Sequence, residues 1–221
     1  MQQEKFHDRQ DAGKQLAKLL SHYSTHRDII LLALPRGGIP VAYPIAHILR
    51  TPIYPYIVRK LGVPGYSELA MGAIAIGGSA VFNEAIIDEM GVEQEEIERV
   101  MQIEKQELTR REKVYFSGST LPPLRDKTVI LIDDGIATGA TIKVAIAAIK
   151  SQQPARIIVA VPICPDDVVN EMRQLVDDFV CLLHPSNFGA VGECYDAFPA
   201  VEDNEVKTML QECQVTFEQR S

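Results

Sequence analysis

Two adjacent carboxylates, Asp133 and Asp134, close the apolar run Val129-Ile130-Leu131-Ile132, and the small or hydroxyl-bearing residues Gly135, Ala137, Thr138, Gly139, Ala140 and Thr141 follow at once. Successive backbone N–H groups in such a turn form a concave anion site, and a helix opening behind it adds a favourable dipole. Gly139 lets backbone approach a ligand closely, and the hydroxyls of Thr138 and Thr141 add donors. Each charge-assisted bond contributes about 1.5–3 kcal/mol, so several together anchor a phosphate firmly. Two acids beside a phosphate cradle would repel a bare phosphate. They fit a ligand that also carries hydroxyls or brings a metal, and a ribose 5-phosphate does both. The turn is not a nucleoside-triphosphate loop of the Walker A kind, because no Lys follows Gly139.

Two further clusters stand at the ends of apolar runs. Pro35-Arg36-Gly37-Gly38 stops the run from Ile29 to Leu34. Its glycines expose amides and Arg36 can fork onto phosphate oxygens, although Arg-Gly-Gly alone reads better as a plain turn. Arg59 and Lys60 end the strand expected from Ile53 to Val58, where a solvated strand end is the competing reading. Towards the C-terminus stand His184, Phe188 and Tyr195: either aromatic ring could stack on a planar ligand, or simply pack the chain. His184 could serve as a base near neutral pH, but a lone His after a strand is more often structural.

The elements that must position these residues alternate. A helix is expected over 9–24, a strand over 29–34, a helix over 39–49 and a strand over 53–58, followed by a loop over 61–69 and a short hairpin over 70–83 around Gly77-Gly78. Residues 84–116 read as helical and highly charged, with Ile97, Met101, Leu108 and Tyr115 as a narrow apolar seam and Glu95/Arg99 and Glu107/Arg111 as i,i+4 pairs. After the linker Leu121-Pro122-Pro123-Leu124 come strands over 128–132, 156–161 and 179–183, separated by helices over 139–150 and 166–176. Continuous apolar strands alternating with helices predict an α/β fold: a Rossmann-like, mostly parallel sheet with helices on both faces. Ligands on such sheets bind beyond the carboxyl ends of the strands, where all three clusters stand.

Composition sets the outer bounds. The 221 residues suit one domain, 1–221, and a net charge of −8 argues against a nucleic-acid surface. Cys164, Cys181, Cys194 and Cys213 are scattered with no C-x-x-C spacing, which suggests neither a disulfide framework nor zinc. The longest uncharged run is broken by glycines and is too short to span a bilayer, and the first residues lack the apolar stretch of a signal peptide, so a cytoplasmic protein is expected.

The string from Val129 to Thr141 closely resembles the signature by which type I phosphoribosyltransferases bind 5-phosphoribosyl-1-pyrophosphate (PRPP), and the phrases 34–41, 58–73 and 133–141 are similar to a group within that family whose acceptor is unassigned. The resemblance implies that Asp133 and Asp134 hold the ribose hydroxyls, that Ala137, Thr138, Gly139, Ala140 and Thr141 hold the 5′-phosphate, and that Arg36, Gly37, Gly38, Arg59 and Lys60 meet the pyrophosphate. Arg36 and Lys60 would then be catalytic, stabilising charge on the departing pyrophosphate, with Mg²⁺ arriving on PRPP rather than in a protein cage. It further implies a lid over Leu61–Glu68, a helical insertion at about 84–116, a small hood at about 184–200 with Phe188 and Tyr195 as acceptor contacts, and a homodimer. The activity implied is transfer of phosphoribose to a nucleobase-like nitrogen acceptor; a PRPP-sensing regulator and a PRPP hydrolase are the alternatives. Enzymes acting on hypoxanthine and guanine carry an Asp at the place of Ala137, so 6-oxopurine specificity is disfavoured. The Ala-Thr-Gly pattern is nearer that of adenine enzymes, which the surrounding chain does not otherwise resemble.

Overall fold

The computed structural model describes residues 5–26, 28–116, 120–186 and 189–218. In chain order the elements are α1 (Arg9–Leu20), β1 (Ile29–Ala33), α2 (Gly38–Leu49), β2 (Ile53–Pro55), β3 (Val58–Val63), β4 (Tyr66–Ala75), β5 (Ala80–Phe82), α3 (Glu84–Met90), α4 (Gln94–Tyr115), β6 (Thr128–Ile132), α5 (Ala140–Lys150), β7 (Arg156–Ile163), α6 (Asp166–Leu175), β8 (Asp178–Leu183) and α7 (Asp203–Glu218).

Five strands form a parallel sheet in the order β2-β1-β6-β7-β8. In β1, β6 and β7 every residue after the first is buried, which is why the sequence shows unbroken apolar runs there. The chain steps one way from β1 to β2 and the other way from β6 through β7 to β8. Right-handed crossovers therefore put α2 on one face and α5 and α6 on the other. The order reverses between β1 and β6, the point at which an open α/β sheet binds its ligand beyond the carboxyl ends of the strands.

Two departures from the sequence reading matter for the site. The strand expected over 53–58 ends at Pro55, and the amide of Tyr56 makes a last bond to the carbonyl of Ala33 (2.8 Å) before the chain leaves the sheet. Residues 61–69, expected as a loop, are largely strand: β3 and β4 form an antiparallel hairpin that turns at Pro64-Gly65, and β5 extends it to a second, three-stranded sheet. Register shifts beside Gly62 hid this pairing from a reading based on alternation.

The helical stretch 84–116 is two helices. Gly91, left-handed at φ 61°, closes α3, and a capping box between Glu93 and Glu96 opens α4. Ile97, Leu108 and Tyr115 form the buried seam of α4, with Met101 half-buried, and Glu107 accepts from Arg111 and also from Arg110, each at 2.8 Å. The expected helix over 9–24 is α-helical to Leu20 and finishes as a 3₁₀ turn over Ser21–Thr25. The sequence reading assigned no element to α7, which packs on α2, α4 and β2 through Val206, Met209, Leu210, Cys213 and Phe217. Among the described residues no helix is long and apolar enough to cross a membrane.

Candidate active site at the sheet crevice

The loops after β1 and β6 meet where the strand order reverses. Leu34 donates its amide to the carbonyl of Ile132 (2.9 Å), which ties the two strand ends together. The Pro35–Arg36 peptide bond is cis. A side chain at Gly37 would run into the Asp134 carboxylate. One at Gly38 would lie 2.8 Å from the Ile132 carbonyl and 3.1 Å from the Asp133 Cα. Two glycines in succession are therefore what allows the Arg-Gly-Gly turn to lie directly against the acid pair.

Asp133 and Asp134 are part-buried. Asp133 Oδ1 accepts the amide of Asp134 (2.9 Å), and Asp134 Oδ2 accepts from Arg9 Nε (2.8 Å). Burial holds Asp133 well above its ordinary carboxyl range, and the neighbouring charge of Asp134 pushes in the same direction. Asp134 is also raised by burial, but Arg9 pulls it back down. Burial therefore disfavours the charged form of both acids, and Arg9 offsets that cost at Asp134.

The turn from Ala137 to Thr141 presents itself to solvent: Ala137, Thr138, Ala140 and Thr141 are exposed, and Gly139 is left-handed at φ 76° as it opens α5. No side chain of the helix's own caps this N-terminus. Thr138 Oγ1 accepts the Ala140 amide at a long 3.4 Å, and amides at an exposed helix N-terminus of this kind are groups that can receive an anion.

Beside the turn lies a cleft of about 1120 Å³, lined among others by Pro35, Lys60, Val63, Gly65, Thr141 and Lys143, with the β3–β4 hairpin on one side and α4 on the other. Its volume reaches the top of the range of about 300–1,000 Å³ that small-molecule sites occupy. Lys60 is exposed at the cleft. Arg59 faces it as half of an ion pair, with Nε 2.6 Å from Glu104 of α4, so it does not bring an uncompensated charge. Arg36 is exposed and only loosely paired with Asp203, at 3.8 Å. An open pair of this kind is worth about 0–1 kcal/mol, so an arriving anion displaces it at little cost.

Two residues that sequence reasoning passed over belong to the site. Lys143 stands one helical turn beyond Gly139, at the spacing that returns a side chain to the turn, and is paired with Glu171 at 2.7 Å. Arg9 reaches Asp134 from 125 residues earlier in the sequence, and no local pattern signals that contact.

Of the expected acceptor contacts, Phe188 lies outside the described residues. Tyr195 does not present a free ring face: it is 4% exposed, lies between Phe6 (5.6 Å) and Phe198 (4.9 Å), and donates its hydroxyl to the Asp134 carbonyl at 2.6 Å. The apolar ring is held in the core and its polar tip braces the acid pair from behind. His184 is exposed. Tyr195→Phe is expected to lower stability by about 1 kcal/mol, because a buried carbonyl loses its donor. A thermal melt unchanged by the substitution would remove the brace.

The comparisons with known proteins agree with this geometry. Residues 2–197 match the phosphoribosyl transferase domain family. Two Mycobacterium tuberculosis proteins (strains CDC 1551 and H37Rv) that carry the provisional name phosphoribosyl transferase are each 39% identical over 212 residues, which is 96% of this chain. The chain spans about half, 48%, of the length of these relatives. The crystal structure of TT1426 from Thermus thermophilus superposes with a TM-score of 0.85 at 33% identity, covering 94% of this chain and 98% of that one. With the parallel sheet, the acid pair and the phosphate turn in place, this chain belongs to the phosphoribosyl transferase domain family.

Proposed function

We propose that the protein is a PRPP-dependent phosphoribosyltransferase that passes the 5-phosphoribosyl group to a nitrogen acceptor and releases pyrophosphate. The observation that carries this reading is the convergence, at the reversal of strand order, of a part-buried acid pair, an exposed turn opening a helix and an Arg-Gly-Gly turn. In this reading Asp133 and Asp134 accept from the ribose hydroxyls, and the amides and hydroxyls of Ala137–Thr141 bind the 5′-phosphate. Arg36, the Gly37 and Gly38 amides and Lys60 take the pyrophosphate, while Arg59 stiffens the wall through Glu104.

The bond that breaks joins the anomeric carbon to pyrophosphate, and positive charge spreads over the ring as it lengthens. Fixed donors around the departing oxygens stabilise that charge separation without having to reorganise. Mg²⁺ fits as a cation carried in on the pyrophosphate oxygens, where it would act as a Lewis acid. The β3–β4 hairpin lines the cleft, and in this reading it would shield the reacting centre from water. Ala137 offers no carboxylate to an acceptor, so proton handling on a 6-oxopurine is disfavoured.

The test is to incubate the protein with PRPP, Mg²⁺ and a panel of bases and amines and to follow pyrophosphate. Release that depends on an acceptor is expected. Release without any acceptor would make the protein a hydrolase, and tight binding without turnover would make it a sensor.

A further inference from the structure

Arg9 is buried, at 9% exposure, and is the one charged side chain among the described residues held so deeply. It lies in the first turn of α1. Its Nε donates to Asp134 Oδ2 at 2.8 Å, its Nη1 donates to the Pro199 carbonyl at 2.8 Å, and its guanidinium carbon sits 3.6 Å from the centre of the Phe198 ring. Phe198 stacks on Tyr195, whose hydroxyl bonds the carbonyl of the same Asp134. Burying a guanidinium costs desolvation that an apolar side chain would avoid, so packing alone does not require an arginine here. Its three contacts use different parts of the planar group: Nε, Nη1 and the face.

We propose that Arg9 is a positioning residue of the ribose site: it fixes the Asp134 carboxylate against the Gly37 backbone, on a guanidinium that Phe198 and Pro199 clamp from the other side. The proposal rests on the reading of Asp134 as a ribose contact. The pairing commits Oδ2 and turns Oδ1 into the oxygen for a ribose hydroxyl. It also makes the acid pair depend on docking of the segment 195–199, which is remote from the phosphate turn in sequence.

The charged and titratable groups that face Asp134 come from each surrounding element. Asp133 stands beside it on the same loop, Arg9 approaches from α1, and the Tyr195 hydroxyl from the C-terminal segment. Arg36 belongs to the turn that carries Gly37 and is itself drawn towards Asp203 at 3.8 Å. Burial favours a proton on Asp134, and Arg9 opposes it. Without the guanidinium, Asp134 keeps its proton to a higher pH, and a protonated acid is the poorer acceptor for a diol.

Calorimetric titration of PRPP with Mg²⁺ into the full chain, between about pH 5 and about pH 8, separates the roles. Arg9→Gln is expected to lower affinity about tenfold at neutral pH, to shift the pH at which affinity is lost upward by about one unit, and to recover towards the parent at the alkaline end. Arg9→Lys keeps the charge but loses the fork and the stack, so its shift is smaller in the same direction. Titration of the ligand's own phosphates is common to every variant and cancels in the comparison. If Arg9→Gln does not fold, the shift is read on Arg9→Lys and on Phe198→Ala, which loosens the clamp and leaves the ion pair. The proposal is overturned if the parent binds PRPP and the variants lose the same factor at every pH, or lose nothing. A parent that does not bind PRPP at all overturns the ribose reading itself, and this proposal with it.

Discussion

Replacing Asp133 by Asn is expected to weaken binding of PRPP with Mg²⁺ by about 100-fold or more while making the empty protein more stable. The loss follows from trading a carboxylate for a neutral amide opposite the ribose hydroxyls, at about 1.5–3 kcal/mol for each charge-assisted bond. The gain follows from the penalty in the empty site. Burial and the charge of Asp134 raise the folded-state pKa of Asp133 above its unfolded value. Below the unfolded value, about 4, the group is protonated in both states and exerts no effect. As the pH climbs from there through the raised folded value, the folded state must ionise against burial and loses stability, and above that value the full penalty is present. Asparagine removes the penalty, so the increase in Tm should be greatest at neutral pH and vanish in acid. Each unit of pKa elevation corresponds to about 1.4 kcal/mol, or roughly 2–4 °C per kcal/mol for a chain of this size. Asp133 is the better choice than Asp134, whose charge also balances Arg9. Melting curves at several pH values and calorimetry check both halves. Unchanged PRPP affinity would detach the acid pair from ribose, and a fall in neutral-pH Tm would refute the electrostatic penalty.

Gly37→Ala should be nearly as damaging, and for a purely steric reason. Gly37 has φ −64° and ψ −32°, a conformation that alanine adopts without strain. Its new methyl group, however, would occupy the space of the Asp134 carboxylate. Asp134 has little freedom to move aside, since Arg9 holds its side chain and Tyr195 its carbonyl. Overpacking of this kind costs about 1–3 kcal/mol, and the displaced carboxylate should lower PRPP affinity by about tenfold or more. A variant that kept both Tm and affinity would show that the two loops do not depend on this close approach.

The β6 strand and the helix behind it were legible almost to the residue. Val129 to Ile132 are apolar because both faces of the strand are covered, and Asp133-Asp134 marks the point where that cover ends. The sheet, the phosphate turn and the Arg-Gly-Gly turn followed from the same signal. What stayed hidden depended on pairing at a distance. The β3–β4 hairpin was obscured by Gly62, Pro64 and Gly65, which read as loop residues although they shape a bulge and a tight turn. The break at Gly91 was legible in principle, since Asn83 and Glu93 are capping residues ahead of helical runs. The helix α7 carried its signal in the spacing of Val206, Met209, Leu210, Cys213 and Phe217. The ion pair between Arg9 and Asp134 joins residues 125 positions apart in the sequence, and no local pattern encodes it. The same remoteness disguised Tyr195, an aromatic that looked available for stacking and is a buried support.

The reversal of strand order between β1 and β6 has an implication for how this chain matures. One half of the sheet carries the glycines and the other the acids, and the arginine that steadies them bridges an early helix and a late segment. Neither half owns a functional crevice. On the proposed reading, PRPP binding therefore arises only when the whole tertiary arrangement has closed, and a partly assembled intermediate would be blind to its ligand.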